Sequence, residues 1–258
     1  MTGLDWPLGP IAHRGLHNSA IDLIENTPSA VEAALVKGYG VEVDVQCAKG
    51  DVPVVFHDPT LDRLMQDSGA ISERTPKDLA RVPYKFGSDR IISLCELFDL
   101  VAGRAPIYVE IKSNWSGDVT LAREAALRAN QYFGPVALMS FDPKVVSHAR
   151  LYAPRLPIGL VSGRYCGPDW PTRDGTSLER FVLRHLFPAV TSQVNFINYE
   201  IAGLPALTPI IARRLFSLPL LTWTVRTQAE REIAARWADA IVFEDFEPDP
   251  ASSVMLYT

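Results

Sequence analysis

The chain has 258 residues, 47% hydrophobic and 21% charged, a globular composition that excludes a disordered, collagen-like or mucin-like protein and suits one barrel-sized domain of about 250 residues. Its 25 basic and 30 acidic residues give a net charge of −5, and no basic cluster interleaves with aromatics, so nucleic acid is excluded as a partner. Cys47, Cys95 and Cys166 fit no CxxC spacing, which argues against a disulfide framework or structural zinc and predicts small buried side chains. No apolar run of about 20 residues and no secretory leader is visible, so no stable membrane insertion and a cytoplasmic location are expected.

Eight β-rich runs recur along the chain, at 11–15, 40–46, 107–112, 136–141, 158–162, 196–201, 220–225 and 240–244. Segments of helical spacing lie between them, such as 28–37, 118–130 and 227–236, with Thr27 and Thr227 placed as N-caps. The alternation predicts an α/β fold, a TIM (β/α)8 barrel. Residues 52–56 follow the second strand too soon for a crossover helix and must return as a hairpin, bringing His57 to the barrel mouth. The polar, irregular stretch 58–92 then reads as a small inserted lid subdomain at the C-terminal face of a single domain, before a helix resumes over 93–101.

The second strand reads Val41-Glu42-Val43-Asp44-Val45, so period-2 geometry puts both acids on one face and the valines on the other. The third strand repeats this, with Tyr108, Glu110 and Lys112 opposite Ile107, Val109 and Ile111. Three carboxylates converging in a parallel barrel require compensation, and an oxygen-only set selects a hard divalent cation, Mg²⁺ or Ca²⁺. The competing account is an internal salt-bridge layer with Arg14 and Lys112. His13 and His57 close strands beside this cluster, where imidazoles serve as general acid and base. His17, His148 and His185 lack such company.

The ordered set His13-Arg14-Gly15, Glu25-Asn26-Thr27, Glu42-x-Asp44, His57-Asp58, Leu61-x-Arg63 and Glu110-x-Lys112 resembles the glycerophosphodiester phosphodiesterase family over most of the chain. The resemblance implies a TIM barrel with an insertion after His-Asp and metal-dependent hydrolysis of a small-molecule phosphodiester to glycerol 3-phosphate and an alcohol. It implies His13 and His57 as the acid/base pair, Glu42, Asp44 and Glu110 as metal ligands, and Arg14 and Lys112 as the phosphate grip. Glu25 is expected beside the metal or orienting Arg14, and Trp223 as a wall of the glycerol pocket or a packed core residue. Water and the substrate's 2-hydroxyl both stand as nucleophiles, and oligomeric state is left open.

Departures from the family pattern fall at Leu64-Met65, before Ser93-Leu94, at Arg226 and at Phe243-Glu244-Asp245, all expected to lie away from the metal and acid/base set. One alternative is a lysophospholipase D-type activity, with Leu64, Met65, Ile71, Tyr84 and Phe86 lining an acyl channel. Another is a non-catalytic phosphodiester-binding module, whose signature would be loss of a histidine or carboxylate.

Overall fold

The computed structural model describes residues 4, 6–166 and 176–250. Strands β1 (Ile11–Ala12), β2 (Gly40–Ala48), β3 (Val52–Val55), β4 (Ile107–Ile111), β5 (Val136–Ser140), β6 (Ile158–Ser162), β7 (Phe196–Glu200), β8 (Leu220–Val225) and β9 (Ala240–Phe243) form one sheet. All but β3 are parallel, and β1 pairs with both β2 and β9, closing an eight-stranded TIM barrel. Helices α1 (Pro28–Val36), α2 (Pro76–Leu79), α3 (Leu94–Val101), α4 (Thr120–Ala129), α5 (Pro143–Tyr152), α6 (Ser177–Arg184), α7 (Phe187–Thr191), α8 (Leu207–Phe216) and α9 (Gln228–Trp237) lie in the connections. Thr27 caps α1 by accepting from Ala30 N, and Thr227 with Glu230 forms a capping box on α9. Among the described residues no helix is long and apolar enough to cross a membrane.

Alternation along the strands sorts the side chains into two cores. Val41, Val43 and Val45 face outward into the layer between barrel and helices. Ile11, Tyr108, Ala137, Phe196, Leu221 and Ala240 belong to the cluster that fills the barrel from below. A Cβ on Gly159 would stand 2.3 Å from the Phe196 ring, so that ring occupies the space a side chain at 159 would need. Strand β1 is shorter than the 11–15 expected, because Arg14 (φ 55) and Gly15 (φ 79) turn left-handed and leave the ladder. At Gly15 a Cβ would also meet the Ala30 carbonyl carbon at 2.8 Å, so glycine is required there on two counts.

The hairpin forms as expected, with a three-residue turn at Lys49, Gly50 (φ 88) and Asp51 (φ 62). Val45 pairs with Val55 and Cys47 with Pro53, which is tolerated because β3 is an edge strand. Residues 58–92 then fold through a 3-10 turn at Ile71–Glu73, α2 and isolated bridges. Their cluster unites Leu61, Met65, Ile71, Leu79 and Tyr84 with Val54 and Phe56 of the hairpin arm. Met65, Ile71 and Tyr84 are therefore the insert's own core and line no channel, Leu64 packs against it, and Phe86 is exposed.

The cysteines depart from expectation. Cys95 and Cys166 are exposed and Cys47 is partly so. On α3 the buried stripe is Leu94, Leu97, Phe98 and Val101, which leaves position 95 facing outward.

Candidate active site

Glu42 and Asp44 point into the barrel from β2, and the β2–β4 register sets Asp44 beside Glu110. All three are buried, and one oxygen of each lies within 4.8 Å of the others. Lys112 Nζ reaches Asp44 Oδ1 at 2.6 Å and Glu110 Oε1 at 2.5 Å, and Arg14 Nε lies 3.4 Å from Asp44 Oδ2. Asn26 clamps Asp44, donating from Nδ2 to Oδ2 at 2.9 Å and accepting from the Asp44 backbone N–H at 3.0 Å. Burial opposes ionisation of Asp44, but Lys112, His57, Arg14 and His13 together hold its pKa well below the usual carboxylate range.

Glu42 has the opposite fate. Its Oε2 accepts from the Arg14 backbone N–H at 2.9 Å, while Oε1 is buried without a hydrogen-bond partner. Burial, followed by repulsion from Asp44 and Glu110, raises its pKa well above the ordinary value. An internal salt-bridge layer thus leaves one buried carboxylate oxygen uncompensated. The oxygen-only donor set with this orphaned atom fits a hard divalent cation.

Both histidines are held through Nδ1. His13 Nδ1 lies 2.7 Å from Glu244 Oε2 and His57 Nδ1 lies 2.7 Å from Asp58 Oδ1. Burial works to raise the Glu244 pKa, but the His13 hydrogen bond together with the charges of His13, Arg226 and His17 outweighs it and brings the carboxyl to about 2. Asp58 is likewise depressed, against burial, by His57 and Arg63. Ionised carboxylates only accept, so an imidazole paired this way carries its proton on Nδ1 when neutral and leaves Nε2 as the acceptor, that of His13 3.9 Å from Glu42 Oε2. Burial and the nearby Arg14 draw the His13 pKa down to about 4, against the pull of Glu244.

Glu25 lies outside the carboxylate cluster and orients Arg14, accepting from its NH1 at 2.8 Å. Trp223 is half-buried on the β8 wall, donating from Nε1 to Ser162 O at 3.3 Å and meeting Phe141 edge-on at 5.3 Å. Two further residues join this network. Arg63 donates to both Asp58 and Glu25, and Glu244 arrives from the residue following β9. The departures from the family pattern are therefore not all remote. Glu244 touches His13, Arg226 reaches Glu244 at 3.2 Å, and His17 Nε2 lies 3.9 Å from Glu244 Oε1. Sequence did flag positions 226 and 244 as unusual, but 231 residues separate His13 from Glu244 and only barrel closure makes them neighbours. His148 and His185 stay outside, each bonded to a helical carbonyl four residues back.

A phosphoester's negative charge suits a mouth where Arg14 and Lys112 stand beside a carboxylate cage, and such a mouth on a parallel barrel marks a TIM-barrel enzyme. The family model described as the glycerophosphoryl diester phosphodiesterase family matches residues 13–247, and the chain belongs to that family. A Caldanaerobacter subterraneus glycerophosphodiester phosphodiesterase is 29% identical over 250 residues, covering 92% of this chain and 94% of that protein. An Oleispira antarctica phosphodiesterase solved with the product sn-glycerol-3-phosphate superposes with a TM-score of 0.74 at 19% identity, covering 94% of each chain. The Thermotoga maritima glycerophosphodiester phosphodiesterase superposes at 0.69 with 22% identity, covering 92% of this chain and 95% of that one. Family membership makes this chain an enzyme, a phosphoric diester hydrolase of the glycerophosphodiester class.

Proposed function

We propose that the enzyme hydrolyses glycerophosphodiesters to glycerol 3-phosphate and an alcohol, with His13 and His57 as the acid/base pair. The observation that carries this reading is the pairing of both imidazoles through Nδ1 with carboxylates at 2.7 Å, which leaves two Nε2 atoms for proton transfer beside one carboxylate cluster. One Nε2 takes the proton of the attacking oxygen, and the other imidazole, protonated, returns one to the leaving alkoxide. Arg14 and Lys112, both anchored by carboxylates, hold the phosphate and offset charge on its oxygens. Glu42, Asp44 and Glu110 would hold Mg²⁺ or Ca²⁺, which when bound supplies Lewis-acid stabilisation of phosphoryl charge.

Residues 58–92 act as a lid that selects the alcohol, because the chain leaves the mouth directly after His57 and returns at α3. No observation favours the lysophospholipase reading, since Met65, Ile71 and Tyr84 of its channel set are spent in the insert's core. The non-catalytic reading has no support either, since neither histidine and no carboxylate is missing.

A panel of glycerophosphodiesters and lysophospholipids, assayed for glycerol 3-phosphate, lysophosphatidic acid and free alcohol, tests the reading. Expected are glycerol 3-phosphate release, its loss on chelation and its return with Mg²⁺ or Ca²⁺. Full turnover in metal-free protein would remove the metal assignment.

A further inference from the structure

We infer that Arg63, a residue of the insert, is a positioning residue for the reaction, tying the carboxylate that orients His57 to the carboxylate that orients Arg14. The inference rests on the roles proposed above for those two residues. Arg63 Nε donates to Asp58 Oδ2 at 2.6 Å and NH2 to Asp58 Oδ1 at 3.1 Å, while NH1 and NH2 donate to Glu25 Oε2 and Oε1 at 2.9 and 2.7 Å. Glu25 Oε1 also accepts from Arg14 NH1, and Asp58 Oδ1 also pairs with His57 Nδ1. A continuous chain His57–Asp58–Arg63–Glu25–Arg14 results, joining an acid/base group to a phosphate-gripping group through one guanidinium.

The root of this guanidinium is fixed by the insert. Leu61 is fully buried in the insert core, Leu64 packs against it, and Lys85 Nζ donates to the carbonyls of Asp62 and Arg63 at 2.6 and 3.1 Å. Glu25 and Asp58 carry side-chain exposures of 13% and 19% against 45% for Arg63, so a half-exposed guanidinium reaches two partly buried carboxylates through charge-assisted bonds. An ammonium cannot replace this geometry, because a point charge on a flexible stem does not fork across two carboxylates. Without the fork, Asp58 no longer fixes the His57 ring and Glu25 keeps only Arg14. A misplacement of about 1 Å costs on the order of 10²-fold in rate.

The positioning role differs from lid selectivity in what it does to different substrates. Arg63→Ala and Arg63→Lys should each lower kcat/KM by about 10²-fold, by the same factor for a small aryl phosphodiester as for larger glycerophosphodiesters. Added guanidinium should restore turnover to Arg63→Ala, and equal concentrations of sodium chloride should not. A folded variant with kcat/KM within about threefold of wild type, or with a loss confined to large alcohols, overturns the role. Should Arg63→Ala fail to fold, the same criteria apply to Arg63→Lys, judged by circular dichroism. His57→Ala assayed alongside separates the two layers of the argument. An inactive His57→Ala beside an unimpaired Arg63 variant overturns the positioning role alone, and an active His57→Ala overturns the underlying acid/base reading.

Discussion

The two halves of the barrel interior are built on opposite principles. Below, Phe196 fills the space beside Gly159, and the Tyr108 hydroxyl accepts from Trp6 Nε1 at 3.0 Å. Above, β2 carries Glu42 and Asp44, β4 carries Glu110 and is followed by Lys112, and Glu42 Oε1 has no hydrogen-bond partner. Arg14 and Asn26 sit there at φ 55 and φ 57, conformations that cost about 1–3 kcal/mol each for residues with a Cβ. Packing density below sustains an arrangement above that apolar side chains would make more stable. A few ångströms along β4 separate Tyr108, which packs the lower barrel, from Glu110 of the proposed metal cage.

That division can be broken from either side. The largest effect belongs to the mouth, where His13→Ala or His57→Ala should lower kcat by about 10² to 10⁴-fold while the melting temperature barely moves. Steady-state kinetics beside calorimetry measures both, and a variant with near wild-type turnover would return that histidine to a structural role. The reverse holds below. Phe196→Ala should cost about 3–5 kcal/mol of stability, read from the denaturation midpoint, with kcat per folded molecule nearly unchanged.

A smaller effect tests how the mouth's ion pairs contribute. Burial raises the Glu25 pKa, but Arg63 and Arg14 overcome it and hold the carboxyl at about 2 against an ordinary 4.5. A depressed carboxyl stabilises the fold above its unfolded pKa and loses that contribution as pH falls through the folded value. Stability should therefore drop between about pH 4.5 and 2, and Glu25→Gln should flatten the slope by at most about 3 kcal/mol in total. An unchanged slope would mean that the Arg14–Glu25–Arg63 cluster adds little to folding.

The sequence carried most of the barrel because strand alternation and helix capping are local. Val-Glu-Val-Asp-Val announces its two faces without any neighbour, and Thr27 and Thr227 cap the helices they precede. What escaped was non-local or conformational. Glu244 meets His13 only when β9 closes on β1, and Arg63 reaches Glu25 across 38 residues of chain. The early end of β1 follows from a left-handed turn at Arg14, a residue type that gives no warning of positive φ. The 58–92 insert was legible as an irregular segment but not as a fold, since its short pieces are held by a shared cluster instead of by a repeating period. Exposed Cys95 shows the same limit, because composition ranks cysteine as buried and only the helix face decides.

The β2–β3 hairpin sets a rule of inheritance for this enzyme. Phe56 N donates to Asp44 O at 3.0 Å, and Gln46 Nε2 donates to His57 O at 2.7 Å, so a carboxylate and a histidine share one ladder. Their relation is counted in residues through Lys49, Gly50 and Asp51, which touch no chemistry. Adding or deleting one residue there would slip the register and turn His57 to the other face. Over descent, this outer turn can change its letters, apart from Gly50 at φ 88, more freely than its length.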